Sequence, residues 1–158
     1  LRFFNVYGPN EQHKGAQKSV VAHMYPKAAA GENVRLFKSH NPKYADGGQL
    51  RDFIFVKDCV DVAHWLLEEE KQAGILNVGT GRARSFADLA GAMFKTMGQK
   101  PRIDYVDTPA EIRDKYQYFT EADMTRLRAL GYNAQFTAIE SGVADYVGNY
   151  LMKNDPHA

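Results

Sequence analysis

RDFIFVKDCVDVA, residues 51–63, changes its period in the middle. DFIFV (52–56) is an apolar run of the kind found in a strand buried on both faces. From Asp58 onward the period lengthens: Cys59, Val62, Ala63 and Leu66 follow i, i+3, i+4, i+7 spacing, which predicts a helix capped by Asp58. Downstream, ILNV (75–78) reads as a second buried-type strand. Ser85 then opens a helix, with Asp88 as its capping-box acid. Phe86, Leu89, Ala90, Met93, Phe94 and Met97 keep one face of that helix apolar until Gly98. Strand–helix–strand–helix order from 52 to 97 implies parallel strands joined by right-handed crossovers, so the fold class is α/β.

Working outward, RFFNVY (2–7) reads as a core-type strand stopped by Gly8-Pro9, and residues 10–18 as a polar loop. A helix is expected over 18–30, kinked or split by Pro26 and stopped by Gly31. VRLF (34–37) and IDYV (103–106) are short strands. Between them KSHNPKYADGGQL (38–50) is a long polar loop, of a length that is usually functional or mobile. Thr120–Asp123 and Thr137–Glu140 repeat the cap pattern before the last two helices. The final helix is expected to bury Ile139, Val143, Val147, Tyr150 and Leu151. In such sheets ligands bind beyond the carboxyl ends of the strands, which directs attention to the residues after 2–7, 52–56 and 75–78.

Composition narrows the function classes. The chain has 158 residues, 44% of them hydrophobic, enough for a sizeable core. Lys and Arg number 20 against 19 Asp and Glu, and a net charge of +1 gives no electrostatic case for nucleic acid or a membrane surface. No apolar run approaches the ~18 residues of a bilayer span. Cys59 is the one cysteine, which excludes an internal disulfide framework and suits a reducing cytoplasm. The chain opens on Leu1 and a strand-like run, without the basic start or cleavage pattern of a signal peptide. A terminus that opens on a core-type strand predicts a fragment of a longer protein.

The candidate chemistry is sparse. NVGTGRARS (77–85) is a glycine-rich turn, but the dinucleotide fingerprint needs a third glycine where Arg84 stands, so a plain strand-to-helix turn is the stronger reading. Arg82 and Arg84 either face an anion there or are simply solvated. His13, His23, His40, His64 and His157 lack metal-ligand spacing, so no metal site is expected; His64 reads as structural. Cys59 falls on an apolar helix face and reads as a small core residue. Arg51 is held between a polar loop and a buried strand. It is either a bidentate clamp on phosphate oxygens or an ion-pair partner of Asp52 or another acid. Lys14 follows a strand's carboxyl end beside a glycine, and is a weak candidate for an acid/base on spacing alone.

RFFNVYGP, then RDFIFVKDCVDVA, then ILNVGTG resemble, in order and spacing, the C-terminal half of the extended short-chain dehydrogenase/reductases that act on nucleotide sugars. NEQHKG (10–15) and KYQYFTEADMTRLRALGY (115–132) are similar to the ADP-heptose 6-epimerase branch of that family. The resemblance implies late strands of a Rossmann sheet plus a smaller α/β substrate domain. Residues 1–9 and 52–81 would add strands and a helix to the dinucleotide-binding part. It implies NADP (or NAD) as cofactor, an ADP-heptose-type nucleotide sugar as substrate, a homo-oligomer, and a place in bacterial lipopolysaccharide synthesis.

The implied chemistry is oxidation and re-reduction at C6″, with one acid/base on each side of that carbon. Lys14 would be one of them and would also lie near the cofactor, as would Val6. Asn5, His23, Phe37, Lys38, Ser39, His40, Arg51 and Tyr116 match substrate-binding positions. Ala16 stands where the family has a small polar residue, and the 41–50 loop is longer than the family pattern. The family's G-x-x-G-x-x-G and Tyr-x-x-x-Lys do not occur in the chain and would precede Leu1, so the chain alone is expected to be inactive. The alternatives are another extended-family epimerase, dehydratase or reductase, and a noncatalytic sugar-nucleotide-binding fragment.

Overall fold

The computed structural model describes residues 1–69 and 74–153; His157 lies outside them. In chain order the elements are β1 (Arg2–Phe3), β2 (Asn5–Tyr7), a 3-10 turn (Gln12–Gln17), α1 (Val20–Ala29), β3 (Val34–Phe37), β4 (Leu50–Arg51), β5 (Phe53–Phe55) and α2 (Val56–Glu69). There follow β6 (Asn77–Val78), β7 (Arg84–Ser85), α3 (Phe86–Thr96), β8 (Ile103–Val106), α4 (Ala110–Arg113), α5 (Thr125–Ala129), α6 (Ile139–Asn149) and a last 3-10 turn (Leu151–Lys153).

The expected parallel strands form, and the 2–7 stretch lies at their centre. β1 pairs in parallel with β6, and β2 in parallel with β5. Arg2 and Phe4 donate their N–H groups to Leu76 and Val78, whereas Asn5 donates to Asp52 on the other side. A third parallel pair joins β3 to β8 in the register Val34↔Ile103, and an antiparallel pair joins β4 to β7.

Alternation along β5 sets where the cores lie. Phe53 and Phe55 enter one cluster with Tyr7, Leu36, Leu89, Phe94 and Val143. Ile54 points the other way, to Cys59, Val62, Val78, Leu127 and Tyr132. All three β5 side chains are buried, as its sequence predicted, and each such residue contributes about 1.5–3 kcal/mol on leaving water. α3 is closed at its start by the predicted capping box: Ser85 Oγ accepts from the Asp88 N–H, and the Asp88 carboxylate accepts from the Ser85 N–H.

Several local expectations fail for identifiable reasons. The helix after β5 begins at Val56, so Asp58 sits inside its first turn and is not the cap. The Asp58 carboxylate instead accepts from the N–H and hydroxyl of Thr137. Ala138 rather than Thr137 is the N-cap of α6 and gives it no side-chain cap; Met124 is the N-cap of α5, where the Asp123 carboxylate accepts from the Thr125 N–H at 2.9 Å. Pro26 neither splits nor ends α1, which runs unbroken to Ala29 from its Ser19 cap. The 75–78 stretch alternates: Ile75 and Asn77 face outward, Leu76 and Val78 inward. Leu1 and Phe3 are exposed, so the start of the 2–7 stretch is not core. His64 is exposed beside Glu68 and supports no packing. The 10–18 segment contains a 3-10 turn, kinked at Gly15, where φ is 54°.

Candidate substrate-binding site

β3, β4 and α3 converge on a cavity of about 250 Å3 lined by Val20, Arg35, Leu36, Phe37, Gln49, Phe86 and Tyr116. The Phe37 ring meets Tyr116 edge-on at 5.9 Å, and Tyr116 meets Tyr118 edge-on at 5.6 Å. Buried Gln49 fixes the end of β3 by donating to the carbonyls of Phe37 and Lys38, both at 3.2 Å.

Arg51 lies over two of these rings, 5.4 Å from the centre of Tyr116 and 5.7 Å from that of Phe86. Its guanidinium donates to the carbonyls of Leu50 and Gln117. Among the described residues no carboxylate pairs with it, so the ion pair with Asp52 does not form. Burial draws Arg51 below its ordinary value, offset in part by Tyr116; burial also raises the Tyr116 phenol, offset by Arg51. A half-buried guanidinium held by carbonyls and rings keeps its charge uncompensated by any acid.

A second cavity, of about 280 Å3, lies at the carboxyl end of β2 and shares Val20 with the first. Asn5 and Val6 line it, together with Ser19 and Phe53 among others. Lys38, Ser39 and His40 leave β3 at the edge of the first cavity. Lys38 pairs with Asp107 at 3.5 Å, the Ser39 N–H donates to Asp46, and the His40 N–H donates to the Tyr118 hydroxyl. The 38–50 loop is thus tied down at several points, and Tyr44 packs on Tyr118 at 5.2 Å.

Lys14 and His23 enter neither cavity. Lys14 is exposed on the 3-10 turn after β2; His23 is exposed on α1 with its Nε2 3.2 Å from the Ala16 carbonyl. Gln49, Phe86 and Arg35 were not marked by the sequence. Phe86 reads there as one more apolar position of α3, and only its place directly after the cap, at the mouth of a strand end, distinguishes it.

The glycine-rich turn after β6 is filled from within. Asp52, fully buried, accepts from the Thr80 N–H at 2.8 Å, the Thr80 hydroxyl at 2.7 Å, the Gly81 N–H at 2.9 Å and the Ala122 N–H at 3.0 Å. A turn whose donors already hold a carboxylate has none left for a phosphate, as the partial motif suggested. Arg84 bridges Asp88 and Glu140. Arg82 is solvated at the surface.

Burial and then Asp58 push the Cys59 thiol up to about 12, which removes it as a nucleophile. Among the described residues no group of His, Cys, Asp and Glu is arranged to hold a metal, and no helix is long and apolar enough to cross a membrane.

Comparison with known proteins is consistent with this layout. The sequence signature described as the NAD dependent epimerase/dehydratase family matches residues 1–79. The chain is 52% identical to the ADP-L-glycero-D-manno-heptose-6-epimerase of Nitratidesulfovibrio vulgaris strain Hildenborough, over 99% of this chain and 49% of that protein. It is 44% identical to the protein of the same name from Fusobacterium nucleatum, with the same coverage.

Among solved structures, the Helicobacter pylori ADP-L-glycero-D-manno-heptose-6-epimerase superposes with a TM-score of 0.76 at 29% identity, over 94% of this chain and 42% of that one. The Thermus thermophilus UDP-glucose 4-epimerase, solved with NAD, gives 0.74 at 25% identity, over 93% and 44%. The chain therefore spans about half the length of the curated relatives it matches. Its helices and parallel strands are those of an α/β portion of an extended short-chain dehydrogenase/reductase, and the chain belongs to the NAD dependent epimerase/dehydratase family.

Proposed function

We propose that this chain is the sugar-nucleotide-gripping half of an epimerase that inverts C6″ of ADP-D-glycero-D-manno-heptose, a precursor of the bacterial lipopolysaccharide inner core. The names of relatives at 44% and 52% identity support the substrate. The observation that carries the reading is Arg51, stacked on Phe86 and Tyr116 beside an aromatic cavity and paired with no described acid. An uncompensated guanidinium next to ring-stacking surface suits a nucleoside diphosphate, with the fork on phosphate oxygens.

In this reading Val6, within β2, and Lys14, on the exposed turn beyond it, meet one edge of a nicotinamide dinucleotide, and the glycine-rich turn, filled by Asp52, does not hold its pyrophosphate. Such a cofactor, NADP in this reading, supplies hydride uptake and return when bound. Lys14 holds or releases a proton at Nζ for the C6″ oxygen, the second acid/base coming from a tyrosine outside this chain. Arg51 acts by positioning the diphosphate. Asn5, Phe37, Lys38, Ser39, His40 and Tyr116 complete the substrate surface in this reading, with His23 meeting the substrate from the exposed face of α1, outside both cavities. Residues 1–9 and 52–81 belong with the dinucleotide-binding part. A homo-oligomer in the cytoplasm completes the proposal.

The test is equilibrium binding of ADP-heptose and UDP-glucose to the polypeptide that carries this chain. ADP-heptose binding at least about tenfold tighter supports the reading, a preference of about 1.4 kcal/mol. Equal affinities, or the reverse order, would assign the chain to another branch of the family.

A further inference from the structure

The turn that carries Lys14 is not held by packing. None of the residues Gln12–Gln17 is buried, so its conformation depends on polar contacts made from its two ends. The strongest of these gather on one atom group. Glu11, 3% exposed, accepts from the Ser19 N–H at 2.6 Å, from the Ser19 hydroxyl at 2.6 Å and from the Tyr146 hydroxyl at 2.9 Å. The Lys14 N–H donates to the Glu11 carbonyl at 3.0 Å, so the turn begins on the clamped residue.

Ser19 is at the same time the N-cap of α1, its Oγ accepting from the Ala22 N–H at 3.3 Å. The carboxylate therefore closes segment 11–19 on itself and pins it to α6. Three further ties remain: Lys18 Nζ donates to Gln12 Oε1 at 2.8 Å, the Lys18 N–H donates to the Gly15 carbonyl at 3.4 Å, and His23 Nε2 lies 3.2 Å from the Ala16 carbonyl. Burial, and then the Glu11 charge, keep the Tyr146 phenol protonated, so the donor on α6 is permanent.

We propose that Glu11 is the positioning residue for Lys14, setting through Ser19 and Tyr146 where the turn presents the lysine. The catalytic part of this statement rests on the role of Lys14 proposed above; the clamp itself does not. Glu11 touches no reacting atom in this account. Its effect on turnover passes entirely through the lysine, and α6, distant in sequence, becomes part of the lysine's support.

Two measurements on the polypeptide that carries this chain separate these parts. Glu11→Gln keeps the shape and removes the charge; Tyr146→Phe removes one donor and serves if the first variant fails to fold. Hydrogen exchange at residues 12–17 should accelerate about tenfold or more in either variant while α3 stays protected, since bonds to a charged acceptor are among the stronger ones. Unchanged exchange at 12–17 overturns the clamp.

Turnover of ADP-heptose is then measured for both variants, with and without Lys14→Met. If Glu11 acts through Lys14, Glu11→Gln lowers kcat with little change in KM and has no further effect in the Lys14→Met background. Multiplicative losses in the double variant overturn the positioning role. Full turnover by Lys14→Met alone overturns the catalytic reading, while faster exchange at 12–17 still supports the clamp.

Discussion

The turn after β6 and the turn after β2 both hang on a buried carboxylate, and they differ in where its donors originate. Asp52 is held by three backbone N–H groups and one hydroxyl, from the glycine-rich turn it sits under and from Ala122. Glu11 is held by Ser19 at the far end of its own segment and by Tyr146 on α6. The first turn spends its Thr80 and Gly81 N–H groups on its anion. The second spends its anion on its ends and leaves its middle, with Lys14, facing solvent. The same chemistry builds a structural plug in one place and a presented side chain in the other.

The largest break in this comparison is expected from Asp52→Ala. It strands four donors around a fully buried position, the Ala122 N–H buried and the other three partly buried, and should cost about 3–5 kcal/mol, read as a lower denaturation midpoint in urea. A loss below about 1 kcal/mol would mean that water replaces the carboxylate and that the plug is dispensable. Gly79→Ala attacks the same turn by volume. A Cβ there would lie 2.5 Å from the Ala122 Cβ and 2.6 Å from Asp52 Oδ2, and about 1–3 kcal/mol should be lost in the same titration.

Tyr146→Phe tests the other turn and should cost only about 1.5 kcal/mol. The slope of the urea transition should not change, because the sheet keeps its bonds. A cost as large as that of Asp52→Ala would erase the distinction between the two turns.

The smallest effect concerns Glu140, whose carboxyl is held below its ordinary value first by the Arg84 hydrogen bond. A depressed folded value contributes stability above the unfolded value and loses it as pH falls through the folded one. Between pH 5 and 3 the chain should lose about half a kcal/mol or less through this group, since it is mostly solvated. Glu140→Gln or high salt should flatten that part of the acid titration, and an unchanged slope would show that the pair contributes nothing.

What the sequence could tell was set by how local each signal was. The buried run 53–55, the switch to helical period and the Ser85–Asp88 box depend on neighbours within a turn or two, and all appear in the structure. The cap expectations at Asp58 and Thr137 failed through placement, since the helix after β5 already begins at Val56 and the N-cap of α6 falls on Ala138. What the two residues do instead, a bond to each other across 79 positions, no local spacing encodes. The aromatic cavity was half legible. Phe37 and Tyr116 were singled out by resemblance and Arg51 already by its place between a polar loop and a buried strand, but Gln49 and Phe86 gain their roles from β3, β4 and α3 meeting, which no spacing encodes. The two turns show the same limit. Glu11 and Asp52 are ordinary acids in the chain and become organising centres only once donors arrive from 135 and 70 residues away.

β5 carries a consequence for folding. Its three residues send Phe53 and Phe55 to one apolar cluster and Ile54 to the other. A slip of one residue against β2 would put a single aliphatic side chain where one cluster needs two rings and two rings where the other needs one aliphatic side chain. The strand thus acts as a proofreader of register, and neither cluster can complete itself while the other is misassembled. Loss of the two clusters is expected as a single cooperative event, visible as coincident transitions of Trp65 fluorescence on one side of β5 and of hydrogen exchange in α3 on the other.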